Sequence, residues 1–141
     1  MKVLPYLCFE GRAQEAIDFY QKVLGAEVTM LMRGKDAPEG ACAGGNPREY
    51  ADKIMHAELK LGDDRLHVSD GMNTGQAEFK GITLSVALST DDEARKKFAA
   101  LSEGGEVRMA LSETFFASSF GICNDKFGVP WMVLVPSHVP A

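Results

Sequence analysis

Two histidines and a carboxylate, His56, Glu58 and His67, with Ser69 beyond them, are the residues of this 141-residue chain best placed to do chemistry. Imidazole titrates near neutrality, so it can move a proton or ligate a metal ion. A carboxylate beside it can orient the ring or share the ion. These residues belong to Ile54–Leu61 and Arg65–Ser69, which read as a hairpin around Gly62-Asp63-Asp64. Strand side chains alternate between faces. Met55, Ala57, Leu59 and Leu61, with Leu66 and Val68, therefore form an apolar face that receives a helix. His56, Glu58, Lys60, Arg65, His67 and Ser69 take the other face, concave and open to a ligand.

Spacing tests the metal reading. Pairing Gly62 with Arg65 sets Lys60 opposite His67, Glu58 opposite Ser69 and His56 opposite Gly71. Glu58 and His67 then become diagonal neighbours at roughly 7–8 Å, and His56 lies on the order of 10 Å from His67. Zinc-type ligand atoms must lie within about 2.0–2.3 Å of one ion, and a facing lysine opposes a cation. The spacing disfavours a divalent metal, and no cofactor is expected.

The elements that position these residues come from one module used twice. Gly25-Ala26-Glu27-Val28 returns as Gly104-Gly105-Glu106-Val107, each time after an amphipathic helix and before a strand. Lys2–Phe9 is a first strand. Ala13, Ala16, Ile17, Tyr20 and Leu24 make one helical stripe, stopped at Gly25 by the left-handed turn that glycine adopts freely. Glu27–Arg33 is a strand and Gly34–Lys53 a long aperiodic loop. The pattern restarts at Ile82–Leu88. Thr90 and Glu93 form a capping box ahead of the stripe Ala94, Phe98, Leu101. Glu106–Leu111, Phe115–Cys123 and Pro130–Val135 follow. The order is βαβββ twice, an α+β fold, with module one about 1–70 and module two about 80–136.

In module two Phe116, Ser118, Phe120 and Met132 take the ligand-facing side, and Trp131 packs under the helix. Gly25 to Gly104 spans 79 residues but His67 to Met132 only 65; the difference of 14 falls in the Gly34–Lys53 loop. Loops of that length act as lids, binding elements or plain excursions.

Composition narrows the function classes. Hydrophobic residues are 45% and charged residues 25%, with net charge −5 and pI near 5.2. Without a concentrated basic face, nucleic acid is not an expected partner. No apolar run approaches the roughly 18–20 residues of a membrane span, and Met1–Tyr6 is too short and too soon polar for a secretory signal. Cys8, Cys42 and Cys123 have no metal-like spacing and read as free thiols of a reducing cytoplasm. No nucleophile elbow, Walker loop, dinucleotide glycine motif or HExxH occurs.

The doubled βαβββ order resembles the vicinal oxygen chelate superfamily of glyoxalases, bleomycin-resistance proteins and extradiol dioxygenases. Tyr6-Leu7-Cys8-Phe9-Glu10-Gly11, Ala16-Ile17-Asp18-Phe19-Tyr20, Val23-Leu24-Gly25-Ala26-Glu27, His56-Ala57-Glu58-Leu59 and Ser69-Asp70 are similar to its PhnB-like branch. So are Glu113-Thr114-Phe115-Phe116, Phe120-Gly121 and Asp125-Lys126-Phe127-Gly128-Val129-Pro130-Trp131. Members of that branch often carry a demethylubiquinone-methyltransferase-like label, but no adenosylmethionine loop is present here.

The resemblance implies a U-shaped mixed sheet around a cavity, helices on its convex side, in a homodimer. It places metal ligands on the first and last strand of each module, at Pro5, His67, about Gly81 or Ile82, and Met132. Only His67 among these binds a divalent ion. The favoured expectation is therefore a small organic ligand, bound by a binding module or a metal-independent enzyme through Tyr6, His56, Glu58, His67, Ser69, Phe116 and Phe120. The alternative is a metal-dependent lyase, isomerase or thiol transferase using His67 with further ligands, Glu58 being a candidate. A third reading makes the cup a scaffold, with Asp125–Trp131 serving folding or dimerisation.

Overall fold

Both repeat glycines adopt left-handed backbone just past their helices, Gly25 at φ +69° as the cap itself and Gly104 at φ +78° one residue beyond an extended cap at Glu103. The second residue of each repeat differs for a packing reason. Ala26 is tolerated in the first copy, whereas a Cβ on Gly105 would strike the carbonyl of Asn124. The computed structural model describes residues 1–36 and 51–137. Residues 37–50 of the predicted loop, with Cys42, lie outside them. The chain divides into two compact units, Met1–Ala77 and Glu78–Ala141.

The first unit contains β1 (Tyr6–Cys8), α1 (Ala13–Leu24), β2 (Glu27–Arg33), β3 (Ile54–Leu61) and β4 (Asp64–Ser69). A single 3-10 turn, Gly34–Asp36, follows β2. Its sheet has the order β1-β4-β3-β2, with β1 parallel to β4 and the other pairs antiparallel. Ala13, Ala16, Ile17 and Tyr20 of α1 are buried, as are Ala57, Leu59, Leu66 and Val68 on the facing side of the sheet. That is the predicted apolar face under its helix. No side chain at Arg12 caps α1. The buried Asp70 carboxylate takes that role instead, accepting from Ala13 N at 2.8 Å and from Ile54 N at 2.7 Å. One carboxylate thus fastens the helix start to the beginning of β3.

The second unit repeats the order with β5 (Leu84–Ala87), α2 (Asp91–Ser102), β6 (Glu106–Ser112), β7 (Ala117–Asn124) and β8 (Pro130–Pro136). Its sheet runs β5-β8-β7-β6, again mixed. The fold is α+β with the βαβββ order twice. β1 and β5 are shorter than the predicted Lys2–Phe9 and Ile82–Leu88.

Thr90 caps α2 as expected, its Oγ1 accepting from Glu93 N at 3.1 Å. The Glu93 carboxylate does not return to the Thr90 amide but accepts from the Thr90 hydroxyl at 3.3 Å. Trp131 is buried as predicted, donating through Nε1 to Asp125 Oδ2 at 2.8 Å. Cys123 is buried and burial pushes its thiol pKa up, so it packs as a small hydrophobe. No helix among the described residues is long and apolar enough to cross a membrane.

Ser118 departs from expectation. The ladder slips between Ala117 and Ser119, and the hydroxyls of Ser118 and Ser119 both donate to Asp91 Oδ1, at 2.7 and 2.6 Å. An extra residue in one strand reverses its local facing. Ser118 therefore serves the start of α2 rather than the face bearing Phe120.

Candidate functional site

The β3–β4 hairpin decides which site side chains meet. Its turn is two residues long, Gly62-Asp63, and Gly62 adopts φ +63°. Leu61 therefore pairs with Asp64, Lys60 with Arg65, Glu58 with His67 and Ala57 with Val68. This corrects the predicted register, which set Lys60 against His67, Glu58 against Ser69 and His56 against Gly71. The two registers differ by two residues, so both keep the same residues on each face. Hydrophobic alternation excludes a slip of one but cannot choose between these; turn length does.

The corrected register brings the polar side chains together on the face away from α1. His67 Nε2 lies 2.9 Å from Glu58 Oε2. The hydroxyl of Thr29 donates to Glu58 Oε1 at 2.8 Å, and Arg65 Nε is 3.5 Å from the same oxygen. The hydrogen bonds from Thr29 and His67, aided by the charge of Arg65, hold the Glu58 carboxyl below its usual pKa. Glu58 is thus ionised at neutral pH and can only accept hydrogen bonds.

His56 lies beside this pair, its ring centroid 4.7 Å from that of His67 with the rings near perpendicular. The predicted separation on the order of 10 Å was a product of the wrong register. Partial burial, then the neighbouring His67, lower the His56 pKa, while Glu58 pulls the other way. His56 is neutral at pH 7. Tyr6 completes the group: β1 pairs Tyr6 directly with His67, and its ring is 5.4 Å from His56 and 6.1 Å from His67. Its hydroxyl donates to the Met55 carbonyl at 3.3 Å and lies 3.3 Å from His56 Nδ1.

Three contributors escaped the sequence reading, all on β2. The ladder slips between Val28 and Met30, so Val28 pairs with Leu59 but Met30 pairs with Glu58 and Met32 with His56. Met30 and Met32, each 39% exposed, thereby join the His56 face, and the displaced Thr29 reaches Glu58. Simple alternation from Val28 would place both methionines toward the helix.

The other predicted residues lie elsewhere. Ser69 is buried at 3% exposure, and its hydroxyl oxygen accepts the Gly71 amide at 3.0 Å. It closes the end of β4. Phe116 and Phe120 belong to the second unit, where their ring centroids are 5.1 Å apart, and Phe115 adds a third ring 5.0 Å from Phe116.

The metal positions implied by the family likeness also shift. The first-strand residue beside His67 is Tyr6 rather than Pro5, and the one beside Met132 is Ser85 rather than Gly81 or Ile82. The four positions thus offer one imidazole, a phenol, a hydroxyl and a thioether. Such a set lacks the two or three anionic or imidazole donors that divalent metals select. Among the described residues no group of three or more His, Cys, Asp and Glu is arranged to hold a metal ion. The metal that the resemblance implies does not fit the side chains at these four positions.

Comparison with known proteins agrees with this architecture. Residues 1–134 match the model of the family described as 3-demethylubiquinone-9 3-methyltransferase. The chain is 35% identical to Protein YjdN of Escherichia coli K12 over 147 residues, 99% of each chain. It is 37% identical to protein PA1353 of Pseudomonas aeruginosa, with a TM-score of 0.81, covering 96% of this chain and 98% of that one. A Bacillus cereus PhnB protein, described as a putative 3-demethylubiquinone-9 3-methyltransferase, is 26% identical with a TM-score of 0.76, over 96% and 99% of the two chains. The fold alone is shared with a glyoxalase-related enzyme of Fulvimarina pelagi, at 13% identity and a TM-score of 0.58, over 96% and 87% of the two chains. With a family model matched along nearly its whole length, the chain belongs to the PhnB-like family described as 3-demethylubiquinone-9 3-methyltransferase.

Proposed function

We propose that the protein binds a small, partly apolar organic molecule on the face of the first sheet that carries Tyr6, His56, Glu58 and His67, without a metal ion. The observation that carries this reading is the 2.9 Å bond from His67 to a carboxylate already held by Thr29. A ring fixed in this way is pre-organised for a ligand, and pre-organisation lowers the entropic cost of binding. Met30 and Met32 supply apolar, adaptable surface beside it. Phe116 and Phe120 offer an aromatic patch on the second unit. The family name alone does not carry methyl transfer to this chain, whose sequence has no glycine-rich adenosylmethionine loop. A homodimer in a reducing cytoplasm goes with this reading, on the family likeness and the unpaired Cys8 and Cys123; sedimentation tests the dimer.

A second reading, a divalent-metal-dependent lyase, isomerase or thiol transferase, is favoured by one observation. His56 and His67 are adjacent, with Glu58 against His67. Metal analysis and a fragment screen separate the two. Protein dialysed against EDTA is screened by NMR against small aromatic and hydroxylated fragments. The first reading expects saturable binding with shifts at Tyr6, Met30, Met32, His56 and His67, and metal well below one equivalent before dialysis. Stoichiometric metal, with binding abolished by EDTA, favours the second reading and overturns the first.

A further inference from the structure

Resting on that reading, we propose that the first-sheet site selects a small planar molecule with a hydrogen-bond donor, a phenol, enol or ring N–H, which donates to His67 Nδ1 while its ring lies against Met30 and Met32.

The hydrogen-bond inventory leads to this ligand. An ionised Glu58 has no proton to give, so the 2.9 Å contact requires the proton on His67 Nε2. In the neutral ring Nδ1 then carries the lone pair. Among the described residues no protein hydrogen bond engages that nitrogen. The neighbouring imidazole follows the same logic. The single proton of Tyr6 points to the Met55 carbonyl, so the Tyr6 oxygen accepts from His56 Nδ1–H, and His56 Nε2 becomes a second acceptor.

Each of the two imidazoles therefore keeps one bare nitrogen, with their ring centroids 4.7 Å apart. A ligand offering only acceptors gains nothing there, whereas one offering O–H or N–H satisfies a desolvating nitrogen. The β2 slip supplies the rest of the selectivity. Met30 stands across from Glu58 and Met32 across from His56, on the same face. Thioethers make favourable contacts with aromatic rings about 5 Å away, and unbranched methionine adapts to the ring's outline. A flat aromatic or conjugated donor meets both demands; a sugar or an aliphatic acid meets at most one.

The test uses a matched pair of probes, 4-methylphenol, which stays protonated at neutral pH, and its O-methyl ether 4-methylanisole, titrated into EDTA-treated full-length protein and followed by backbone and methionine-methyl NMR. The phenol is expected to bind at least about tenfold more tightly than the ether, the loss expected for one hydrogen bond to a pre-set acceptor. His67→Ala should abolish that preference. Equal affinities overturn the inference and leave the small-molecule reading standing; so does a phenol that fails to bind while other fragments do. Phenol binding that appears only on adding Zn²⁺ overturns both. A second measurement needs no ligand and no variant. The side-chain 15N spectrum of the wild type, recorded at a pH where the ring is neutral, should show His67 with Nε2 protonated and Nδ1 bare, and the reverse tautomer overturns the inference.

Discussion

Glu58 is the residue through which the site's other groups act on one another. It accepts from Thr29 and His67 and faces Arg65, and these contacts hold its pKa down. A depressed folded-state carboxyl contributes stability that is present above its unfolded pKa and is lost as pH falls through the folded one. The wild type should therefore lose melting temperature in the acid range more steeply than Glu58→Gln, whose curve should be flatter there; parallel curves contradict the proposed network. His56 titrates higher. Its folded pKa is lowered from 6.5, so below 6.5 the unfolded chain takes up a proton that the folded chain resists. Stability should begin to fall as pH drops below about 6.5, and His56→Phe should remove that component. His56, Glu58 and His67 were legible as one group in the sequence because strand alternation places all three on the same face of the hairpin. Thr29, Met30 and Met32 were not, since no residue type marks the slip that turns them to that side.

At the scale of elements, the helices and strands follow from periodicity, and the errors follow from features that periodicity does not encode. The β3–β4 register depended on a two-residue turn at Gly62-Asp63, and a shift of two leaves every face unchanged. The α1 cap came from Asp70, 57 residues beyond the helix start, where no local motif could announce it. Asp70→Ala strands two buried amides and should cost roughly 3–5 kcal/mol in urea unfolding. A loss below about 1 kcal/mol would show that water replaces the carboxylate. Gly105→Ala should destabilise by at least about 2 kcal/mol because its Cβ meets backbone, which cannot rotate away. The same methyl in the other copy of the repeat is already present as Ala26, buried without harm. The duplicated sequence thus differs where packing of the second copy requires it.

For the molecule as a whole, duplication supplied the scaffold and then the two copies diverged in chemistry. The face away from α1 carries imidazoles, a carboxylate and a phenol. In the second unit the residues paired in that register are Ser85, Met132 and Ile122, followed by Ala87, Leu134 and Phe120. One copy can recognise hydrogen-bonding groups; the other offers apolar surface. The repeat order and the family were legible because they are written along the whole chain, whereas the metal positions, carried over by likeness, moved by one residue at Tyr6 and by three or more at Ser85. The central claim is that His67 binds a ligand directly and does not hold the fold or an ion. The direct measurement is the affinity of one NMR-selected fragment for EDTA-treated wild type and His67→Ala, with both urea-unfolding curves recorded. The account predicts at least about tenfold weaker binding to the variant with stability changed by no more than about 1 kcal/mol. Unchanged affinity, a fragment that binds only with metal, or a variant that unfolds would contradict it.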